Sequence, residues 1–379
     1  MYSLSELQQK VKDKKFLITG HTGFKGAYLV YLLKYLGAKV YGYALEPEDE
    51  SVYITADIKV LMESEVIGDI RDFDKLKSYI VEVNPDYIIH MAAQPLVLKS
   101  YEEPKYTYET NVIGTVNLFE SIRQFAFDNN IYKKTNCNIK SVLNVTTDKV
   151  YENNDLDDYA FKENEKLCGY DPYSNSKSCS ELVTYSYKHS FFNNNEISIS
   201  TARAGNVIGG GDVCENRIIP DCVRDTVANR EIIIRNPYSI RPYQYVLEPL
   251  IVYLNIVLMT AENKNLCGSY NIGPDKESCV NTLTLAETFV NCWNNNNYEN
   301  LAKIAPLGEM DKSALHEAKF LRLDNSLVKE TFNYKPILTI QDALKLTVKT
   351  YKMIKEGNLT NIINNLNETI EDVLNKINK

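Results

Sequence analysis

The eight cysteines include no C-x-x-C pair, and no histidine stands at zinc spacing from any of them. That excludes the common structural zinc sites and thiol redox motifs, so no metal is expected and reduced thiols are, as in the cytoplasm. Basic residues are outnumbered: 42 Lys and Arg face 50 Asp and Glu, a net charge of −8. A surface that coats nucleic acid is thereby excluded, because phosphate backbones are held by clustered Lys and Arg. Long apolar runs are missing too. Tyr28 to Leu33 and Leu250 to Leu258 are the most apolar windows, far below the ~18 residues that cross a bilayer, so no membrane partner is expected. The opening MYSLSELQQKVKDKK lacks the apolar core and cleavage site of a signal peptide, and there is no internal repeat.

What is present is an ordinary globular composition: 379 residues, 44% hydrophobic and 24% charged, enough for one large domain and a smaller lobe. Short β-rich runs (Lys15 to Thr19, Lys39 to Tyr43, Tyr87 to His90, Ser141 to Thr146, Ile197 to Ala202) alternate with helical stretches. This predicts an α/β fold, a Rossmann-type doubly wound parallel sheet with a smaller C-terminal substrate-binding lobe. After Gly205 the pattern loosens into Gly, Pro and Arg-rich loops (Gly209 to Asp212, Arg235 to Pro237, Arg241-Pro242) of the kind that reach over a ligand. The expected division is 14–205 for the cofactor domain, 206–355 for the interleaved substrate lobe and 356–379 for a helical tail. In that tail Leu359, Ile362, Ile363, Leu366, Ile370, Val373, Leu374 and Ile377 recur at three- and four-residue steps, an amphipathic helix expected to pack on its own domain or a neighbouring subunit. Asn193 to Asn195 and Asn294 to Asn297 read as exposed loops.

The strand Lys15 to Thr19 runs into Gly20-His21-Thr22-Gly23-Phe24-Lys25-Gly26, after which Ala27 to Tyr35 reads as helix. Glycines at steps of three permit a tight turn, close approach of backbone to a pyrophosphate and close helix packing, while the helix N-terminus offers free N–H groups to the anion. A dinucleotide is therefore expected on Gly20, Thr22, Gly23, Phe24 and Gly26. The second strand ends without the acid that would take an adenosine ribose, Glu46 coming late, and also without an arginine for a 2′-phosphate. NAD or NADP stays open from this region, the missing base favouring NAD. Asp69 and Ile70, then Ala92, Ala93 and Gln94, follow later strands where adenine and nicotinamide-ribose contacts fall, and Asn111 is counted with them.

Tyr173 and Lys177 lie four residues apart, on one face of a helix that Asp171-Pro172 can start. A nearby cation favours phenolate, so Lys177 is expected to lower the Tyr173 pKa from ~10 and make it a general base for a sugar hydroxyl. Thr147 is placed at a strand's carboxyl end to hydrogen-bond the same oxygen. Asp148 and Lys149 beside it add an acid and a base, which hydride transfer or epimerisation does not need but expulsion of water does. Three readings stand: a 4,6-dehydratase, a nucleotide-sugar 4-epimerase or reductase, and a non-catalytic dinucleotide-binding regulator.

Across roughly residues 14 to 350 the chain resembles the extended short-chain dehydrogenase/reductase family and, within it, the CDP-glucose 4,6-dehydratases. The resemblance rests on the glycine loop, on His90 to Val97, Thr147 to Asn153, Asp171 to Lys177, Ala202 to Asp212 and Val246 to Leu250. It implies NAD as cofactor and CDP-glucose as substrate, with Tyr173 removing the O4 proton, Asp148 acting as acid on the C6 hydroxyl, and lysine at 149 where dTDP-glucose dehydratases carry a glutamate base. Gln94, Asn206, Arg217 and Arg241 match substrate contacts, arginine suiting phosphate by its planar fork. It also implies a role in deoxysugar, lipopolysaccharide or capsule biosynthesis, and a homodimer built through helices near Val112 to Ala126 and Lys177 to Phe191. The family's Arg-Pro-Trp-Gln-His stretch reads Arg241-Pro242-Tyr243-Gln244-Tyr245 here, and Leu98 replaces an arginine. Both departures bear on base and sugar rather than on the reaction. Arg322-Leu323-Asp324 also matches the family, without an assigned chemistry.

Overall fold

A computed structural model describes residues 1–127, 136–156, 158–193, 197–295, 300–307 and 320–377. Seven strands form one parallel sheet: β1 (Lys15–Thr19), β2 (Lys39–Ala44), β3 (Ser64–Ile67), β4 (Tyr87–His90), β5 (Ser141–Val145), β6 (Ser198–Ala204) and β9 (Ser269–Ile272). Their order is β3-β2-β1-β4-β5-β6-β9, which puts the chain reversal between β1 and β4. Ligands of such sheets bind at the carboxyl ends beside that switch point. The central strands are buried on both faces, as their unbroken apolar runs require.

A second sheet of β7 (Asn206–Ile208), β8 (Ile240–Tyr245) and β10 (Cys279–Asn281) has the order β10-β8-β7. It sets Asn206 and Arg241 on adjacent strands, Asn206 opposite Tyr243. A strand before Asp69 was expected and β3 supplies it; the second sheet was not anticipated, Arg241-Pro242 having read as loop where it lies in the six-residue β8, and β9 is too short to display a period.

Five helices matter for the site: α1 (Phe24–Tyr35), α2 (Pro172–Tyr187), α3 (Leu247–Glu262), α4 (Ile340–Glu356) and α5 (Leu359–Ile377). α1 begins at Phe24, three residues earlier than the sequence suggests, so the glycine loop flows directly into its first turn. α2 starts as expected, with Pro172 in its first turn and the Asp171 carboxylate accepting from the Ser174 N–H. α3 is apolar all round and almost wholly buried, packed on β5 and β6. The tail helix α5 buries Ile362, Leu366, Ile370, Val373 and Leu374 against its own chain, on α4 and α3, while Leu359 is exposed. Of the asparagine patches, Asn193 and Asn295 are exposed and Asn294 half-buried; Asn194, Asn195, Asn296 and Asn297 lie outside the described residues. No helix among the described residues is long and apolar enough to cross a membrane, and none of their His, Cys, Asp and Glu side chains cluster as a metal site.

Candidate active site

The glycine loop owes its shape to crowding. A Cβ on Gly26 would sit 2.1 Å from the Gly20 carbonyl oxygen, and one on Gly20, whose φ is +77°, 2.8 Å from the Ala92 nitrogen. Only glycine fits either place. The loop is tied to the sheet by His21, whose Nε2 lies 2.8 Å from Glu65 of β3. Burial would raise the Glu65 carboxyl, but bonds from Tyr53, Lys59 and His21 outweigh it and hold the group at about 2. Gly23 caps α1 without a side chain, which leaves the first-turn N–H groups to face an anion.

Past this loop runs a cavity of about 1180 Å³. A single small ligand takes roughly 300–1,000 Å³, so two can lie end to end. Its lining includes Gly20, Thr22, Gly23, Phe24, Gly26, Asp69, Ile70, Ala92 and Ala93. The residues following β2 into it, Leu45 to Glu48, carry acid and no base, which suits a ribose free of 2′-phosphate. The loop, the free N–H groups and this lining fit an NAD molecule. Asn206, Arg217 and Arg241 line the cavity as well. Arg217 bonds Asp212 at 2.9 Å, and the guanidinium of Arg241 donates to the Ile240 carbonyl at 2.9 Å.

The same cavity is lined by Thr147, Lys149 and Tyr173. Thr147 Oγ1 donates to Asp148 Oδ1 at 2.9 Å, and Lys149 Nζ lies 3.4 Å from that oxygen and 3.5 Å from Asn206 Oδ1. Asp148 itself is fully buried one side chain back from the cavity surface. Lys177 is also behind the wall, its ammonium donating to the Val145 carbonyl at 3.0 Å. Burial, then the charge of Lys25, lower Lys177 to about 7, against the pull of Glu181.

The expected electrostatics of Tyr173 need correction. Burial raises its pKa, and the opposing influences are Lys149, a hydrogen bond with Thr147 and Arg217, with Lys177 not among the principal ones. Sequence spacing gave the pairing of tyrosine and lysine but could not weigh the desolvation that burial imposes on both.

Gln94 and Asn111 are placed differently from the expectation as well. Neither lines the cavity. Asn111 accepts from the Gln94 N–H at 2.8 Å and donates to the Gln94 carbonyl at 3.1 Å and to Ser176 at 2.8 Å, while the Gln94 amide closes on Leu96 and Thr107. Their polar atoms are consumed in holding the 94–96 turn against α2. The familial Arg322 pairs with Asp158. Lys25, part of the glycine motif but given no role there, also lines the cavity, as do Arg235 and Glu46.

Residues 17–347 match the family described as GDP-mannose 4,6 dehydratase. The chain is similar to the CDP-glucose 4,6-dehydratase of Salmonella typhimurium, 42% identical over 348 residues that span 90% of this chain and 91% of that one. It is 30% identical to the dTDP-D-glucose 4,6-dehydratase of Dictyostelium discoideum, over 73% of this chain and 62% of the relative. Among solved structures, the dTDP-glucose 4,6-dehydratase of Bacillus anthracis in complex with NAD superposes with a TM-score of 0.70 at 20% identity, covering 92% of this chain and 99% of that one. The UDP-glucose 4-epimerase of Thermotoga maritima with UDP-glucose does so with 0.72 at 20% identity, covering 90% and 99%. At such identity these two establish the fold.

Proposed function

This chain belongs to the GDP-mannose 4,6-dehydratase family, and from that premise we propose that it is an NAD-dependent hydro-lyase converting CDP-glucose to CDP-4-keto-6-deoxyglucose. The observation that carries the reading is the row Thr147, Asp148 and Lys149 at the end of β5, with Tyr173 facing Thr147. It supplies an acid and a base beyond what epimerisation uses.

The chemistry that NAD supplies when bound is reversible hydride acceptance, from C4 of the sugar first and to C6 last. Tyr173 takes the O4 proton, with Thr147 bonding the same oxygen. The resulting 4-ketone acidifies the C5 hydrogen, which Lys149 removes as a proton and gives back to C5 when hydride reaches C6. Asp148, sealed behind Thr147 and Lys149 that bond its Oδ1, supplies the proton with which the C6 oxygen leaves as water. Gly20 to Gly26 hold the cofactor diphosphate, and Asn206, Arg217 and Arg241 hold the sugar nucleotide from a lobe spanning 206–355.

The exposed Ile113 (48%), Leu182 (54%) and Tyr185 (65%) favour a homodimer through the two helical segments that carry them. We place the enzyme in the cytoplasm, in deoxysugar biosynthesis for lipopolysaccharide or capsule. The test is incubation with CDP-glucose and NAD, followed by mass spectrometry for a product lighter by one water. Intact CDP-glucose, with UDP, dTDP and GDP sugars also unchanged, overturns the reading.

A further inference from the structure

Three consecutive carbonyls, those of Gly210, Gly211 and Asp212, are taken by donors from three separate parts of the chain. Tyr28 of α1 donates to the Gly210 oxygen at 2.9 Å, the Val52 N–H to that of Gly211 at 3.1 Å, and the Tyr351 hydroxyl of α4 to that of Asp212 at 2.5 Å. The turn is pressed directly onto α4, because a Cβ on Gly210 would lie 2.4 Å from that of Thr350. Thr350 in turn accepts from Asn365 of the tail helix α5 at 2.9 Å. Asp212 itself is buried, and its carboxylate accepts from the Cys214 N–H at 3.2 Å and from Arg217 at 2.9 Å.

Arg217 spends little of itself on that contact. It lines the cavity, and of its N–H donors only Nη1 has a partner among the described residues. The unspent edge of such a planar fork is suited to a diphosphate. Its direction depends on Asp212, and the Asp212 backbone is held by Tyr351, which does not line the cavity. We propose that Tyr351 is a positioning residue, which by holding the Asp212 carbonyl aims Arg217 at the diphosphate of the sugar nucleotide.

The inference rests on Arg217 as a substrate contact. A phenyl ring alone would fill the space that Tyr351 occupies in α4, so what the hydroxyl adds is the bond to Asp212. Without it the buried carbonyl loses this donor, and an unpaired buried acceptor is driven towards water. The turn then relaxes away from α4, and the carboxylate and Arg217 move with it. Burial pushes the Tyr351 phenol well above its usual range, so it keeps its proton and stays a donor. The diphosphate is remote from C4, C5 and C6 and is unchanged by the reaction. An arginine on it therefore binds substrate and transition state alike, and misdirecting it raises KM while sparing kcat.

The experiment titrates CDP, which carries the diphosphate without the sugar, into the NAD-loaded protein by calorimetry. Tyr351→Phe should weaken CDP binding roughly 3- to 10-fold, the worth of one hydrogen bond, and raise the KM for CDP-glucose by the same factor with kcat and NAD affinity unchanged. Arg217→Met should weaken CDP roughly 10- to 100-fold, the worth of a bond to a charged group, and adding Tyr351→Phe to it should cost nothing more. Losses that multiply in the double variant, or a parallel fall in kcat or NAD affinity, overturn the inference. Lowered stability to urea in Tyr351→Phe with CDP affinity intact also overturns it, assigning the hydroxyl to the fold alone. Arg217→Met separates the two levels of argument. If it binds CDP normally, the assignment of Arg217 to the substrate fails and takes the inference with it; if it weakens CDP while Tyr351→Phe does not, only the positioning role fails.

Discussion

Glu181 and Arg203 meet at 2.9 Å behind the catalytic strands, their side chains only 2% and 4% exposed. Glu181 belongs to α2, two turns beyond Tyr173, and also accepts from Thr146 and Thr201; Arg203 belongs to β6 and donates to Tyr151 and to the Glu163 carbonyl. The pair therefore locks the helix bearing Tyr173 and Lys177 to the strand ends bearing Thr147. Removing one partner leaves a buried charge alone, at about 3–5 kcal/mol. Arg203→Met should lower stability to urea by that amount, and a change below about 1 kcal/mol would show that the pair is dispensable.

Asp148→Asn keeps the shape of the side chain and removes its proton. Dehydration should fall on the order of 10² to 10⁴-fold in turnover, with cofactor affinity unchanged by calorimetry. A variant of nearly full activity would move the protein to the epimerase class, which needs no acid at this place.

His90 contributes to the acid lability of the fold. It is fully buried between Thr19 and Thr115, and burial, then the charge of Lys177, lower it from 6.5 to about 3. The unfolded chain takes up a proton below pH 6.5 and the folded chain only near 3, so stability drains as pH falls through that window and is indifferent to this group above it. In His90→Gln the slope of unfolding free energy between those limits should shrink by up to about 1.4 kcal/mol per pH unit. An unchanged slope in denaturation curves taken at several pH values would assign the lability elsewhere.

Gly26→Ala tests the cofactor cradle. The methyl has nowhere to go, since backbone rather than a flexible side chain meets it at 2.1 Å. A loss of about 3 kcal/mol or more in stability, with loss of NAD binding by titration calorimetry, is expected. Normal binding would mean that the loop can open.

Leu182→Glu places a charge on an exposed apolar position of α2. Folding should change by less than about 0.5 kcal/mol, while sedimentation shifts from dimer to monomer. A monomer already in the unsubstituted protein would remove the dimer.

The cofactor half was legible because its signals are local. β1, β4 and β5 are apolar runs with sharp ends, and the glycine spacing needs no tertiary information to be recognised. Tyr173, Lys149 and Thr147 were legible as motif members and do line the cavity. The pairing of Glu65 in β3 with His21 was not, because sequence does not display which side chains neighbouring elements bring together. Nor could sequence show that burial overrides Lys177 in setting Tyr173, or that Gln94 and Asn111 spend their polar atoms on each other.

The tail helix has one more consequence, in the order of synthesis. Tyr31 of α1 donates to the Ile363 carbonyl and to Asn367, and Tyr35 to Glu371, so the helix that follows the glycine loop finds its outer partners more than three hundred residues later. A chain emerging from the ribosome at about 5–20 residues per second displays α1 for many seconds before α5 exists to cover it. Until then the Tyr31 and Tyr35 hydroxyls of the nascent cofactor half wait without these partners.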